Sequence, residues 1–234
     1  MREGFPSYPL SKELTAPTGY SRAQREKGRA VNNSRPARVR ARFTVRLREA
    51  DLGTERFIDV EDGTKTSNDH TQREPDSPNL AGNYGVYPGR GGTDGDYLID
   101  IDIDDYDGEH DTTEVDSLPP TFSVESPHGG EHRYYAVEGN PVSELRSEFG
   151  VRNPVPTWGE IRVENGYVVG PGSELDSCDK EWHDCSDPTE GSYSISEDRP
   201  IATLGVAELL EVVSVDPNYY EEYEQLGFAE WDHD

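Results

Sequence analysis

Three aspartates spaced two apart, Asp100, Asp102 and Asp104, are the residues of this chain best placed to do chemistry. They alternate with Ile99, Ile101 and Ile103 in the run Tyr97-Leu-Ile-Asp-Ile-Asp-Ile-Asp-Asp-Tyr-Asp107. A side-chain period of two predicts a strand with one apolar face and one face of carboxylates. Uncompensated charge in a folded interior is costly, so a strand gains nothing structurally by lining up acids. Carboxylates on one strand face converge over a point and suit a hard divalent cation such as Mg²⁺ or Mn²⁺. A solvated acidic face would give the same pattern. A calcium loop of the EF-hand type shares the first acid spacings, but its obligatory glycine would fall at Asp105 and isoleucines fill the positions between the acids.

Two later stretches offer complementary groups. In Ser126-Pro-His-Gly-Gly-Glu-His132, Gly129 and Gly130 let a backbone approach a ligand closely, and His132 opens the return strand. An imidazole placed there can bind phosphate or transfer a proton, although many surface hairpins share this composition. In Glu160-Ile-Arg162 an acid and a guanidinium share a strand face, one able to ligate metal and the other to neutralise phosphate; an ordinary surface ion pair has the same spacing. Cys178, His183 and Cys185 offer softer donors, but their spacing does not match a CxxC zinc knuckle. The sequence holds no GxxxxGK[ST] phosphate loop and no Gly-x-Ser-x-Gly nucleophile elbow.

The elements that must position these groups can be read in order. Residues 1–34 are polar, with a mobile start expected. Arg38-Val-Arg-Ala-Arg-Phe-Thr-Val-Arg-Leu-Arg48 alternates, which predicts a half-buried strand with Arg38, Arg40, Arg42, Arg46 and Arg48 on its outer face. Residues 59–82 read as a loop, and Asn83–Gly89 as a short strand closed by a turn. Thr121–Glu125 and His132–Val137 read as a hairpin about the Pro/Gly turn at 126–130. A helical turn is expected at 143–150. Glu160–Arg162 and Tyr167–Val169 read as a second hairpin joined through Asn165-Gly166, a strong two-residue turn signal. Residues 176–191 form a polar insertion, Val206–Val213 is the best helix, and an acidic, aromatic tail follows from Asp216.

Composition sets the solvent rather than the partner. The net charge is −26, and Lys12, Lys27, Lys65 and Lys180 are the only lysines among 22 basic residues. Mean hydropathy is −0.88 and the pI about 4.4. High acid, scarce lysine and a normal aromatic content fit a protein solvated in concentrated salt, as inside a halophile; recurring apolar strands argue against a disordered acidic chain. At molar salt the Debye length is about 3 Å, so an acidic pI does not exclude DNA. Charge is also uneven: residues 1–56 carry 13 Lys/Arg against 6 Asp/Glu, a balance of +7 that leaves −33 for the rest. The arginine run therefore suggests phosphate contacts, with pairing to the protein's own carboxylates as the equal alternative. Two cysteines exclude a disulfide framework and fit a reducing cytoplasm. No apolar run approaches a membrane span or a signal-peptide core, so a soluble cytoplasmic protein is expected.

Taken together and in order, the constellations resemble the bifunctional DNA primase–polymerase domain of the archaeo-eukaryotic primase superfamily, of the haloarchaeal plasmid or virus type. The carriers are Ile101-Asp-Ile-Asp104, Ser126-Pro-His-Gly-Gly-Glu-His132, and Glu160-Ile-Arg through Gly166-Tyr-Val-Val-Gly-Pro-Gly-Ser173, over roughly residues 80–200. Two departures stand out: the family's third acid is normally Asp where this chain has Glu160, and Gly172 replaces a proline. The register of the first motif is open between Asp102/Asp104, favoured by the spacing to Gly108, and Asp100/Asp102.

The resemblance implies an α+β fold in which an N-terminal α/β unit packs on an RRM-like unit with the site between them. It implies a catalytic domain over 35–215, flanked by the polar segment 1–34 and the tail 216–234. It also implies two-metal nucleotidyl transfer on DNA, with Mg²⁺ or Mn²⁺ ions about 4 Å apart held by Asp102, Asp104 and Glu160, or with Asp100 in the other register. His132 would be catalytic and meet nucleotide phosphates, with Ser126, Gly129, Gly130, Arg133 and Arg162 also binding the nucleotide. DNA template, primer and nucleoside triphosphates are the expected partners, with a separate replicative helicase. The arginine run as template contact comes from its own pattern.

Overall fold

The computed structural model describes residues 35–54, 56–67, 82–90, 97–105, 108–164, 166–178, 183 and 191–213. The N-terminal segment, the Gly-rich connection at 91–96, Asn165, Cys185 and the acidic tail lie outside them. In order the elements are α1 (Arg35–Glu49), β1 (Phe57–Asp59), β2 (Tyr84–Val86), β3 (Gly89–Arg90), β4 (Tyr97–Ile103), α2 (Thr113–Asp116), β5 (Phe122–Glu125), β6 (Glu131–Val137), α3 (Pro141–Phe149), β7 (Gly159–Arg162), β8 (Val168–Val169), β9 (Ser194–Glu197), β10 (Ala202–Leu204) and α4 (Val206–Glu211). The fold is α+β, as expected.

The acidic strand β4 and the return strand β6 form the centre of a seven-stranded sheet. They pair antiparallel along their full length, from Tyr97 opposite Val137 to Ile103 opposite Glu131. The free side of β4 takes β3 and then β7. The free side of β6 takes β5, with β9 beyond it, and then β10 in parallel. A separate three-stranded sheet runs β1-β2-β8.

Alternation along β4 divides the molecule. Ile99, Ile101 and Ile103 are buried with Val142, Leu145, Trp158 and Leu209, so one face is sealed by α3, α4 and the connections. On the other face Leu98 joins Phe43 and Leu47 of α1, Tyr84 and Val86 of β2, and Phe122 and Tyr134 of the large sheet. Beyond Leu98 the same face continues as Asp100, Asp102 and Asp104. The strand thus runs from core to cleft along one line of side chains.

The arginine run is a helix, not the expected strand. Its buried positions are Ala37, Arg40, Phe43, Thr44 and Leu47, spaced three and four apart, while Val45 is left 47% exposed. Alternation of small and apolar residues mimicked a strand, but arginine, alanine and leucine favour a helix, and one apolar stripe sufficed to dock it. The arginines are therefore scattered around the helix. Arg40 is buried over the Tyr84 ring, and Arg46 binds Asp198 and Glu49. Phe43 anchors α1, fully buried with ring centroids 4.8 Å from Tyr134 and 5.2 Å from Phe122. Phe43→Ala is expected to cost about 3–5 kcal/mol, read by denaturant unfolding at fixed salt.

The hairpin expected through Asn165-Gly166 does not form either. β7 pairs with β4, whereas β8 pairs with β2 of the small sheet. Asn153 Oδ1 accepts the backbone N–H groups of Val163 and Glu164, and the Tyr167 hydroxyl donates to the Lys65 carbonyl, so the chain crosses between sheets here. The crossing buries Val168 and Val169 in the α1 core. The 126–130 turn and the helices expected near 143–150 and 206–213 are present, the helices as Pro141–Phe149 and Val206–Glu211, whereas β1, α2, β9 and β10 were not foreseen.

Candidate functional site

Register assembles the site. On the polar face of the large sheet, Asp102 lies between His132 on β6 and Glu160 on β7. One step back toward the core, Asp100 lies between Tyr134 and Arg162. Directly opposed residues in antiparallel strands share a face, so these side chains form two adjacent rows. β7 can lie this close because position 159 is glycine: a Cβ there would sit 1.9 Å from the Asp102 carbonyl oxygen.

The rows carry a dense charge network. His132 Nδ1 lies 3.3 Å from Asp100 Oδ2, and its Nε2 lies 3.7 Å from Asp102 Oδ1. Arg162 Nη2 is 2.7 Å from Glu160 Oε2 and 3.8 Å from Asp102 Oδ2. Burial would lower the His132 imidazole pKa, but the Asp102 and Asp100 charges and the Asp100 hydrogen bond outweigh it and raise it to about 9. Burial, opposed by His132 and Arg162 and reinforced by Asp100 and Asp104, pushes the Asp102 carboxyl up. Glu160 is also raised, first by burial, with Arg162 opposing and the three aspartates adding. Carboxylates that repel one another in this way suit a site that takes up cations.

Exposure falls along the strand: Asp104 is exposed, the Asp102 side chain is 13% exposed, and Asp100 is fully buried. Asp102, Asp104, His132, Arg162 and Ser126 line a cleft of about 480 Å³. The turn 126–130 closes one end: Ser126 Oγ accepts the Gly130 N–H, and Gly129 takes a φ of 86°. A Cβ on Gly130 would come within 2.8 Å of the Ile103 carbonyl oxygen, so the turn rests against the end of β4.

Most of the expected site residues are thus brought together. Arg133 and the arginines of α1 are exceptions. Alternation along β6 places Arg133 on the opposite face, opposite Ile101, where it binds Glu131 and Asp116 and donates to the Val115 carbonyl. The arginines of α1 do not line the cleft. Missed from sequence were Lys65, Tyr87 and Tyr193, which line the cleft beside Tyr167 of the quoted Gly-Tyr-Val-Val stretch. The scarcity of lysine was the one available signal for Lys65.

The donor set fits a divalent cation. Ligand atoms of Asp100, Asp102 and His132 all lie within 4.8 Å of one another, and Asp100 Oδ1 is buried without a hydrogen-bond partner among the described residues. Asp104 and Glu160 add oxygen donors nearby. A second cluster joins Cys178 and His183 to His128 of the turn, with Cys178 Sγ 3.7 Å from His183 Nδ1 and ligand atoms again within 4.8 Å. His128, unremarked in the sequence, is the third donor there.

In this α+β fold the cleft sets carboxylates that could hold a divalent ion beside an imidazole and a guanidinium that could meet an anionic group. The family profile for the N-terminal region of bifunctional DNA primase/polymerases matches residues 1–208, and the chain belongs to that family. No curated protein matches it. Membership implies DNA and nucleotide substrates and a place in DNA replication. Among the described residues no helix is long and apolar enough to cross a membrane.

Proposed function

We propose that this chain catalyses metal-dependent nucleotidyl transfer on a DNA template, as the primase/polymerase of a plasmid or virus in the cytoplasm of a haloarchaeon. The observation that carries this reading is the row His132–Asp102–Glu160 across three adjacent strands, with His132 and Asp102 lining one cleft, in a chain of this family. Asp102, Asp104 and Glu160 would hold two Mg²⁺ or Mn²⁺ ions, with Asp100 behind them. Bound there, the ions supply charge stabilisation at the attacking and leaving oxygens. His132 and Arg162 present cationic N–H groups to the nucleotide phosphates, with Lys65 on the cleft wall adding charge. Ser126, Gly129 and Gly130 shape a turn without bulky side chains, against which a triphosphate can lie.

The test is a gel assay in multimolar KCl with Mn²⁺, single-stranded template and labelled nucleotides, with and without primer. Extension of primers is expected, and products without primer would add chain initiation. One observation favours a second reading, a catalytically inactive DNA-binding accessory protein. Glu160 replaces the expected Asp and its carboxylate is engaged by Arg162 at 2.7 Å. That reading predicts template binding without incorporation at any metal concentration.

Helix α1 remains the proposed template contact through its exposed arginines, Arg38, Arg42 and Arg48. Their joint replacement by alanine is expected to weaken single-stranded DNA binding and to flatten its salt dependence by about 0.7 log unit for each phosphate no longer neutralised. Arg46→Ala should do less, because its side chain is 23% exposed and held by both Asp198 and Glu49, whereas Arg42, also 3.8 Å from Asp198, is 67% exposed. Fluorescence anisotropy across a KCl series measures both. An unchanged slope in the triple variant would move the template elsewhere.

A further inference from the structure

Asp100 is fully buried and contributes nothing to the lining of the cleft. Leu98, two residues earlier on the same strand face, packs into the aromatic core, and an apolar residue at 100 would have continued it. A lone buried carboxylate is strongly unfavourable unless something compensates it. Its compensation is specific: Oδ2 meets the inner ring nitrogen of His132 at 3.3 Å. The outer ring nitrogen, Nε2, then lies on the cleft side, 3.7 Å from Asp102, while the Tyr193 ring packs edge-on at 5.7 Å. An imidazole can turn about its χ2 torsion; a carboxylate behind it and an aromatic ring beside it leave one orientation.

We propose that Asp100 is the positioning residue for His132: it accepts the Nδ1–H and so directs Nε2–H to the phosphates of the bound nucleotide. The division of labour along β4 is then a gradient, in which Asp104 and Asp102 meet the cleft and Asp100 holds the histidine that works beside them. What His132 touches rests on the nucleotidyl-transfer reading; how it is held does not.

Asp100→Asn and Asp100→Leu, made in the full chain, test this with three readouts. A hydrogen-bonded Nδ1–H proton is expected in the downfield ¹H NMR spectrum of the wild type, assigned by its loss in His132→Gln. Asparagine can still accept that bond through its oxygen, so Asp100→Asn should keep the resonance and hold the nucleotide KM near wild type. Asp100→Leu should lose the resonance and raise the nucleotide KM about tenfold or more, the weight of one hydrogen bond to a charged group. Its Mn²⁺ affinity by calorimetry should fall far less than in Asp102→Ala, because Asp102 and Asp104 still face the cleft. A wild-type spectrum without the resonance overturns the proposal, however the variants fold. A leucine variant that loses Mn²⁺ as completely as Asp102→Ala also overturns it, and makes Asp100 a metal ligand. If the wild type incorporates no nucleotide, the functional reading fails, and the resonance together with calorimetric binding of a nucleoside triphosphate still decides the role of Asp100.

Discussion

Replacing Asp102 and Asp104 together with alanine is expected to lower nucleotide incorporation by about 10³-fold or more, with no loss of fold. The two carboxylates are the acids of β4 that line the cleft, so they are the ones that can meet both an ion and a substrate. Loss of bound cations removes roughly 4 kcal/mol of charge stabilisation at the reacting phosphate, which is the stated rate loss. Stability should respond far less than to an ordinary core deletion. Asp102 sits where burial raises its carboxyl pKa and where Asp100 and Asp104 repel its charge, although His132 and Arg162 attract it. Removing it relieves that repulsion and leaves the apolar face of β4 untouched, since Ile99, Ile101 and Ile103 pack on the other side of the sheet. The melting temperature at fixed KCl should therefore stay near wild type while Mn²⁺ binding by calorimetry disappears. Incorporation within tenfold of wild type would show that the reacting phosphate is held elsewhere. Loss of folding would show that these acids serve the scaffold.

The site was readable where local pattern and tertiary role coincide. On β4 the period-two alternation marks the strand, and the same alternation separates the buried isoleucines from the acids. The Gly129-Gly130 turn and the return strand bearing His132 were visible for a similar reason, because hairpin partners are neighbours in sequence. Failures arose where one pattern served two structures. The run Arg38–Arg48 alternates well enough for a strand, but Phe43, Thr44 and Leu47 fall on a helical stripe, and contact with Phe122 and Tyr134 selects the helix. Arg133 was misplaced although its strand was found: a neighbour of His132 in sequence is on the other face of a sheet. The far wall of the cleft, with Lys65, Tyr87 and Tyr193, comes from segments far apart in the chain and is created by the packing of the small sheet against the large one. Apart from the scarcity of lysine, which singles out Lys65, no local signal announces it.

Gly159→Ala carries the largest expected effect on the site of any substitution outside the charged groups. The obstacle is backbone, not a side chain that could swing aside: the new Cβ would meet the Asp102 carbonyl oxygen at 1.9 Å, its carbon at 2.9 Å and the Ile103 Cα at 3.1 Å. β7 must then draw away from β4, breaking the register that sets Gly159 opposite Ile103 and Glu160 opposite Asp102. Forced overpacking of this kind costs about 3 kcal/mol when the neighbour cannot yield. The proposed site should suffer more than the fold, because every charged group is still present but Glu160 and Arg162 no longer face Asp102. The expected result is a variant with a lowered denaturation midpoint whose Mn²⁺ affinity and incorporation both fall about tenfold or more, even at temperatures where it is fully folded. Glu160→Ala supplies the comparison, since it removes the carboxylate and leaves β7 in place. Should Gly159→Ala melt and bind Mn²⁺ as the wild type does, β7 is not held against Asp102, and Glu160 has no part in the metal site.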